Sequence, residues 1–160
     1  MNIPRVLVVS LAHWIIVSSS ATEASGGGEA RVDPTYAREC GECHAPYPAR
    51  WLPAESWRHV LATLNRHFGQ DASLDAAAQQ TINDYLVSHG RLRPMVAPDG
   101  GPLLRITESP GFLGAHDEIS PATWKRTDVQ SPARCEACHG QAAQGSFSEH
   151  DLHLPVGASR

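Results

Sequence analysis

The clearest pattern in the chain is a helical repeat of apolar residues between positions 54 and 68. Apolar side chains recur there every three to four residues and fall on one face of a helix. They are Trp57, Val60, Leu61, Leu64 and Phe68. Gly69 follows at the position where helices commonly end. The pattern predicts an amphipathic helix from about Ala54 to Phe68.

A second repeat of the same kind runs from Ser73 to His89. Ser73 is a favourable N-cap residue, and Gly90 stands directly after the last periodic position. The apolar side of this segment consists of Leu74, Ala78, Ile82, Tyr85 and Leu86. The pattern predicts another amphipathic helix.

A third, shorter helix is predicted from its start signal. Asp33 is suited to the N-cap position, and Pro34 to the first helical position. Residues 91–160 show a proline-rich loop, a short apolar run that favours extended backbone, turns and one short helix. We therefore predict a mainly α fold, with a helical domain over residues 34–90 and a smaller irregular domain over residues 91–160.

The first 24 residues are typical of a secretory signal peptide. Met1–Arg5 is short and positively charged, and Val6–Val17 is apolar and followed by small residues. The apolar run is short for a membrane span, although an uncleaved anchor is the alternative. Residues 25–33, with three consecutive glycines, predict a flexible leader. The chain is thus expected to be exported, with a periplasmic location.

All four cysteines lie in two copies of the motif C-x-x-C-H. The motif residues are Cys40, Cys43 and His44 in the first copy, and Cys135, Cys138 and His139 in the second. Disulfides or a zinc site would use the cysteines but leave the histidine after each pair without a role. Covalent haem attachment uses every element, because the thiols add to the haem vinyl groups and the histidine binds the iron. The sequence therefore predicts two haem c groups.

Two haems also bear on how the chain folds. The sequence is 41% hydrophobic and contains 12 prolines, which allows only a limited core of its own. Two large apolar macrocycles would supply much of the missing core. We therefore expect that the chain without haem does not fold stably. The mild net charge of −4 disfavours nucleic-acid binding, which requires a basic face.

The second axial ligand of each iron decides between electron transfer and chemistry at the metal. A protein ligand makes the haem an electron carrier, whereas an open position makes it a binding or catalytic site. The candidates are His67, His89 and Met95 for the first haem, and His116, His150 and His153 for the second. His59 lies opposite the apolar stripe of its helix and is expected to be solvated. The pattern alone leaves the choice of ligands open.

Four segments of the chain resemble the dihaem cytochrome c family of proteobacteria. They are "CHAPYPARWLPAESW", "HFGQDASL", "RITESPGF" and "CEACHGQAAQG". The resemblance spans about residues 36–155 and implies an exported electron carrier with two low-potential bis-histidine haems. It also implies a first half similar to a class I cytochrome c, with His67 and His116 as the second axial ligands.

The same resemblance implies two redox partners and no small-molecule substrate. The partners would be a small monohaem cytochrome that binds oxygen and a membrane b-type cytochrome. One alternative is the small dihaem subunit of a periplasmic reductase, which differs only in its partner. The alternative from another class is a haem enzyme or gas sensor, in which one iron keeps an open position.

Overall fold

The protein is represented by a computed structural model, which describes residues 32–157. Its α-helices are α1 (Pro34–Gly41), α2 (Ala54–Ala62), α3 (Ala76–His89), α4 (Pro110–Ala115) and α5 (Pro121–Trp124). Short 3₁₀ helices occupy Ala49–Trp51, Leu64–Arg66, Ile106–Glu108, Cys135–Ala137, Ala142–Gln144 and Glu149–Asp151. Within residues 32–157 there are only isolated β-bridges and no strand, so the predicted mainly α class is confirmed.

Two predictions fall at the N-terminal end of the chain. The signal peptide predicted for residues 1–24 lies outside the described residues, as do residues 25–31 of the predicted leader. None of the helices between residues 32 and 157 is long and apolar enough to cross a membrane.

Helix α1 begins where the sequence predicts it. The Asp33 carboxylate accepts hydrogen bonds from the backbone N–H groups of Thr35 (2.8 Å) and Tyr36 (3.0 Å). These bonds satisfy two of the donors that a helix leaves unpaired at its N-terminus. The helix ends at Gly41, so Cys40 lies in its last turn.

Helix α2 is shorter than the sequence predicts, and the expected continuous helix to Phe68 is wrong. The helix ends at Ala62, because Thr63 leaves the helical conformation (φ −125°, ψ 27°). The Thr63 hydroxyl donates to the carbonyl of His59 (3.0 Å), a competing bond that weakens the helix at this point. A 3₁₀ turn follows, and His67 has extended backbone (φ −62°, ψ 90°). His67 therefore lies in an irregular turn and not on a helix.

Helix α3 begins later than the sequence predicts. Asp75, not Ser73, is its N-cap residue and accepts from the N–H groups of Ala77 and Ala78, each at 2.9 Å. The hydroxyl of Ser73 instead donates to the carboxylate of Asp71 (2.6 Å), before the helix begins.

The end of α3 is held against the start of α2, and Gly90 makes this approach possible. A Cβ atom at Gly90 would lie 2.9 Å from both the backbone nitrogen of Ala54 and the carbonyl oxygen of Leu86. The next residue then pairs with the chain before α2, where Arg91 N–H donates to the carbonyl of Leu52 (3.0 Å).

The buried core joins the helices to the segment that follows them. Its members are Tyr36, Ala49, Leu52, Trp57, Leu61, Leu64, Ile82, Leu86, Leu103 and Ile106. Leu103 and Ile106 belong to the short run predicted as extended, which instead passes into a 3₁₀ turn. The boundary between two domains near residue 90 stays a prediction. Beyond this core, α4 and α5 occupy the region in which turns and a single short helix were predicted.

Candidate functional site

The first C-x-x-C-H motif folds as a tight turn at the end of α1. The backbone N–H groups of Cys43 and His44 point to the carbonyl of Cys40, at 3.5 and 3.4 Å. The His44 Nδ1 atom lies 2.7 Å from the carbonyl oxygen of Ala45, so that Nδ1–H donates this bond. Nε2 is then the unprotonated nitrogen available to a metal. Burial raises the pKa of the Cys40 thiol to about 11, which keeps the thiol neutral before attachment.

His67 lies opposite His44. The two ring centroids are 6.2 Å apart, and the ring planes differ by 24°. Metal–imidazole bonds of about 2 Å, extended by one ring radius at each end, place two trans imidazoles about 6 Å apart by their centroids. Burial lowers the pKa of His67, and the nearby charges of His44 and Arg105 lower it further, which favours the neutral ring that metals bind. The 6.2 Å between the two rings therefore leaves room for one metal ion between them.

The second C-x-x-C-H motif repeats the local geometry of the first. The N–H groups of Cys138 and His139 donate to the carbonyl of Cys135, at 3.1 and 2.8 Å. The Nδ1 atom of His139 is buried and has no hydrogen-bond partner among residues 32–157. Burial lowers the pKa of His139, and the charge of His116 lowers it further. A half-buried neutral imidazole in this position is suited to metal binding.

His116 lies opposite His139 at the same separation. The ring centroids are again 6.2 Å apart, but here the planes differ by 70°. The Nδ1–H group of His116 donates to the carbonyl of Phe112 (2.9 Å), which leaves Nε2 free. Phe112 stacks on the imidazole at 4.1 Å, and Trp124 lies 5.8 Å away, so aromatic contacts fix the ring orientation.

A cavity of about 400 Å³ is lined by His116, His139 and the two cysteines of the second motif, Cys135 and Cys138. Its aromatic lining residues are Trp51, Phe112, Trp124 and Phe147. Burial, and then the charge of Glu136, raise the pKa of the Cys135 thiol to about 12. Neutral thiols, facing imidazoles and an apolar wall fit a covalently attached haem.

The two other candidate ligands for the first haem, His89 and Met95, make their contacts elsewhere in the structure. His89 is exposed, and its Nδ1–H donates to the carbonyl of Tyr85 (2.9 Å) on its own helix. Met95 is partly buried and packs against the hydrophobic core. His59 is exposed, as predicted, with its Nδ1 atom 3.0 Å from the carbonyl oxygen of Glu55.

The rivals for the second haem lie near its motif but are exposed. His153 donates its backbone N–H to the carbonyl of Cys138 (2.8 Å), while its ring Nδ1 bonds to the carbonyl of Asp151 (3.0 Å). His150 lies in the 3₁₀ turn Glu149–Asp151. The structure thus brings His67 and His116, and not the rival histidines, opposite the motif histidines.

Three aromatic residues that the sequence analysis did not select join the two sites. The Tyr47 ring stacks on His44 (4.7 Å, 12°), and its hydroxyl donates to the carbonyl of Ala133 (3.1 Å), two residues before Cys135. Trp51 contacts Phe147 with ring centroids 4.5 Å apart. The signal for Tyr47 and Trp51 was the aromatic content of "APYPARW", which lies within a segment that carries the family resemblance.

The alternatives of disulfides and zinc find no matching geometry. All four cysteines are unpaired. Within residues 32–157, no group of three or more His, Cys, Asp or Glu side chains is arranged to hold a metal ion.

The sequence matches a family profile described as dihaem cytochrome c over residues 36–147. No match was found among curated proteins. Among solved structures, the diheme cytochrome c from Rhodobacter sphaeroides is 42% identical, with a TM-score of 0.63. The match covers 72% of this chain and 97% of that one.

A second solved structure gives the same result. The diheme cytochrome type c from Shewanella baltica OS155 is 37% identical, with a TM-score of 0.66 over 79% of this chain and 95% of that one. The family implies two covalently bound haem c groups, for which both C-x-x-C-H motifs are present. The chain belongs to the dihaem cytochrome c family.

Proposed function

We propose that the protein is a periplasmic electron carrier in which both haems have two histidine ligands. Membership in the family indicates electron transfer with redox partner proteins. The observation that carries the finer proposal is the pairing of His44 with His67 and of His139 with His116, each at a centroid distance of 6.2 Å.

The four histidines determine what each site can do. Haem iron supplies one-electron chemistry by changing between its ferric and ferrous states. With haem bound, His67 and His116 would serve as the second ligand of each iron, and they would then exclude external ligands and substrates from the metal. Two imidazole ligands favour a lower reduction potential than an imidazole with a thioether. The protein is therefore proposed to be a low-potential carrier without catalytic activity of its own.

The contacts between the two sites suit passage of an electron from one to the other. Tyr47 stacks on His44 and bonds to Ala133 in the loop that leads to the second motif. The ring centroid of Phe147 lies 4.5 Å from that of Trp51 and 5.7 Å from that of His139. These contacts hold the sites side by side, so an electron can enter at one site and leave at the other.

The location and partners follow from the sequence and the family resemblance. Covalent haem attachment and the predicted signal peptide of residues 1–24 both support export. The proposed partners are a small monohaem cytochrome and a membrane b-type cytochrome. Copurification of the native protein with either cytochrome tests this part of the proposal.

Addition of carbon monoxide to the reduced protein is expected to leave its absorption spectrum unchanged. The physical reason is that His67 and His116 would hold the sixth position of each iron, and carbon monoxide needs an open one. The measurement is the difference spectrum of the ferrous protein with and without the gas.

A matched variant makes this experiment decisive. His116→Gly removes one proposed ligand, and we expect it to respond to carbon monoxide at one haem only. A strong spectral response of the unmodified protein would instead favour a haem enzyme or gas sensor and contradict the proposal.

A further inference from the structure

One wall of the second-haem cavity is supplied by the first half of the chain. Arg50, Trp51 and Arg91 line a cavity whose other lining residues come from positions 106–154. Trp51 contacts Phe147, and Phe147 lies 5.7 Å from His139, so this wall is close to the second proximal ligand.

The two arginines of this wall lie on backbone segments that approach each other near the start of α2. Arg91 N–H donates to the carbonyl of Leu52 (3.0 Å), and Ala54 N–H donates to the carbonyl of Arg91 (3.3 Å). Arg50 lies in the 3₁₀ turn Ala49–Trp51, which directly precedes Leu52. Both arginines therefore lie on segments that adjoin the start of α2.

A haem carries two propionate groups, which are anions at neutral pH. Arginine binds carboxylates through two parallel hydrogen bonds and is the preferred partner for them. The cavity also contains two carboxylates, Glu118 and Glu149, both from the second half of the chain. The two arginines therefore come from the first half of the chain, whereas both acidic lining residues come from the second half.

Arg134 is a third arginine that lines the cavity, but its position next to Cys135 places it near the vinyl edge of the haem and not near the propionates. It directly precedes Cys135, whose thioether bond forms at the vinyl edge. The propionates leave a haem from the edge opposite the vinyl groups. Arg134 is therefore a poorer candidate than the pair on the first-half wall.

We propose that Arg50 and Arg91 bind the propionates of the second haem, so that the first half of the chain completes the second haem site. The inference rests on the proposed placement of that haem between His116 and His139. It assigns the two arginines a role in positioning the haem and in setting its potential.

The test is a redox titration of the haem-loaded protein monitored by EPR, which follows each haem by its own signal. Arg91→Gln and Arg50→Gln are each expected to lower the midpoint potential of the second haem. Loss of a nearby cation destabilises the ferrous state, which carries one more negative charge than the ferric state. The first haem should change much less, and Arg91→Lys, which keeps the charge but not the fork, should give an intermediate shift.

The matched control is Arg93→Gln, because Arg93 is exposed in the same loop but does not line the cavity. The proposal is overturned if neither Arg50→Gln nor Arg91→Gln exceeds this control, or if Arg134→Gln gives the larger shift. A substitution of the proposed iron ligand His116 distinguishes a wrong assignment of the arginines from a wrong placement of the second haem. If His116→Met changes the second EPR signal, the placement stands and only the arginine assignment is lost.

Discussion

Replacement of His67 by Met is expected to raise the reduction potential of one haem by on the order of 0.1 V and to leave the other almost unchanged. A thioether donates less charge to the iron than an imidazole and so stabilises the ferrous state. His67 contacts His44 but has no ring contact with either histidine of the second site. The measurement is a spectroelectrochemical titration of the variant beside the unmodified protein.

The matched substitution at the second site is His116→Met. It is expected to raise the reduction potential of the second haem, which His67→Met leaves almost unchanged. His59→Met serves as the control, because His59 is exposed on α2. If His89→Met raised a potential while His67→Met changed neither, the assignment of the first ligand would be wrong.

The chain without haem is expected not to form a stable folded state. Without haem, the aromatic and apolar wall of a cavity of about 400 Å³ would face water, and its contacts with the macrocycle would be lost. The whole stability of a small domain is only about 5–15 kcal/mol, so the loss of these contacts at both sites is expected to prevent stable folding. The measurement is circular dichroism and NMR of the chain produced in the cytoplasm, where haem is not attached.

The control for this experiment is the haem-loaded protein under the same conditions, which should unfold cooperatively. A haem-free chain with well-dispersed NMR signals and a cooperative thermal transition would contradict the expectation. A double variant, Cys135→Ser with Cys138→Ser, separates the contributions of the two haems, because only the first remains attached.

Much of the fold could be predicted from local patterns. The cap formed by Asp33 and Pro34, the apolar stripe of α2 and the end of α3 at Gly90 each depend on neighbouring residues. The differences from prediction lie at helix ends. The hydroxyl of Thr63 bonds back to the carbonyl of His59 where α2 ends, and Asp75 rather than Ser73 caps α3.

The candidate site could be predicted in part. The spacing of C-x-x-C-H indicated both attachment points, because that chemistry is local. The facing positions of His67 and His116 depend on how distant segments pack, and the residue pattern alone left several rivals open for each. The contacts of Tyr47 with Ala133 and of Trp51 with Phe147 join residues far apart in sequence, which no local pattern predicts.

The central claim is that each iron has two histidine ligands, and low-temperature EPR of the oxidised protein tests it most directly. Two low-spin signals of different kinds are expected. The nearly parallel rings of the first pair (24°) predict a rhombic signal, and the nearly perpendicular rings of the second pair (70°) predict a strongly anisotropic signal with a large maximum g value. A high-spin ferric signal from either haem, or a low-spin signal typical of histidine–methionine ligation, would contradict the account.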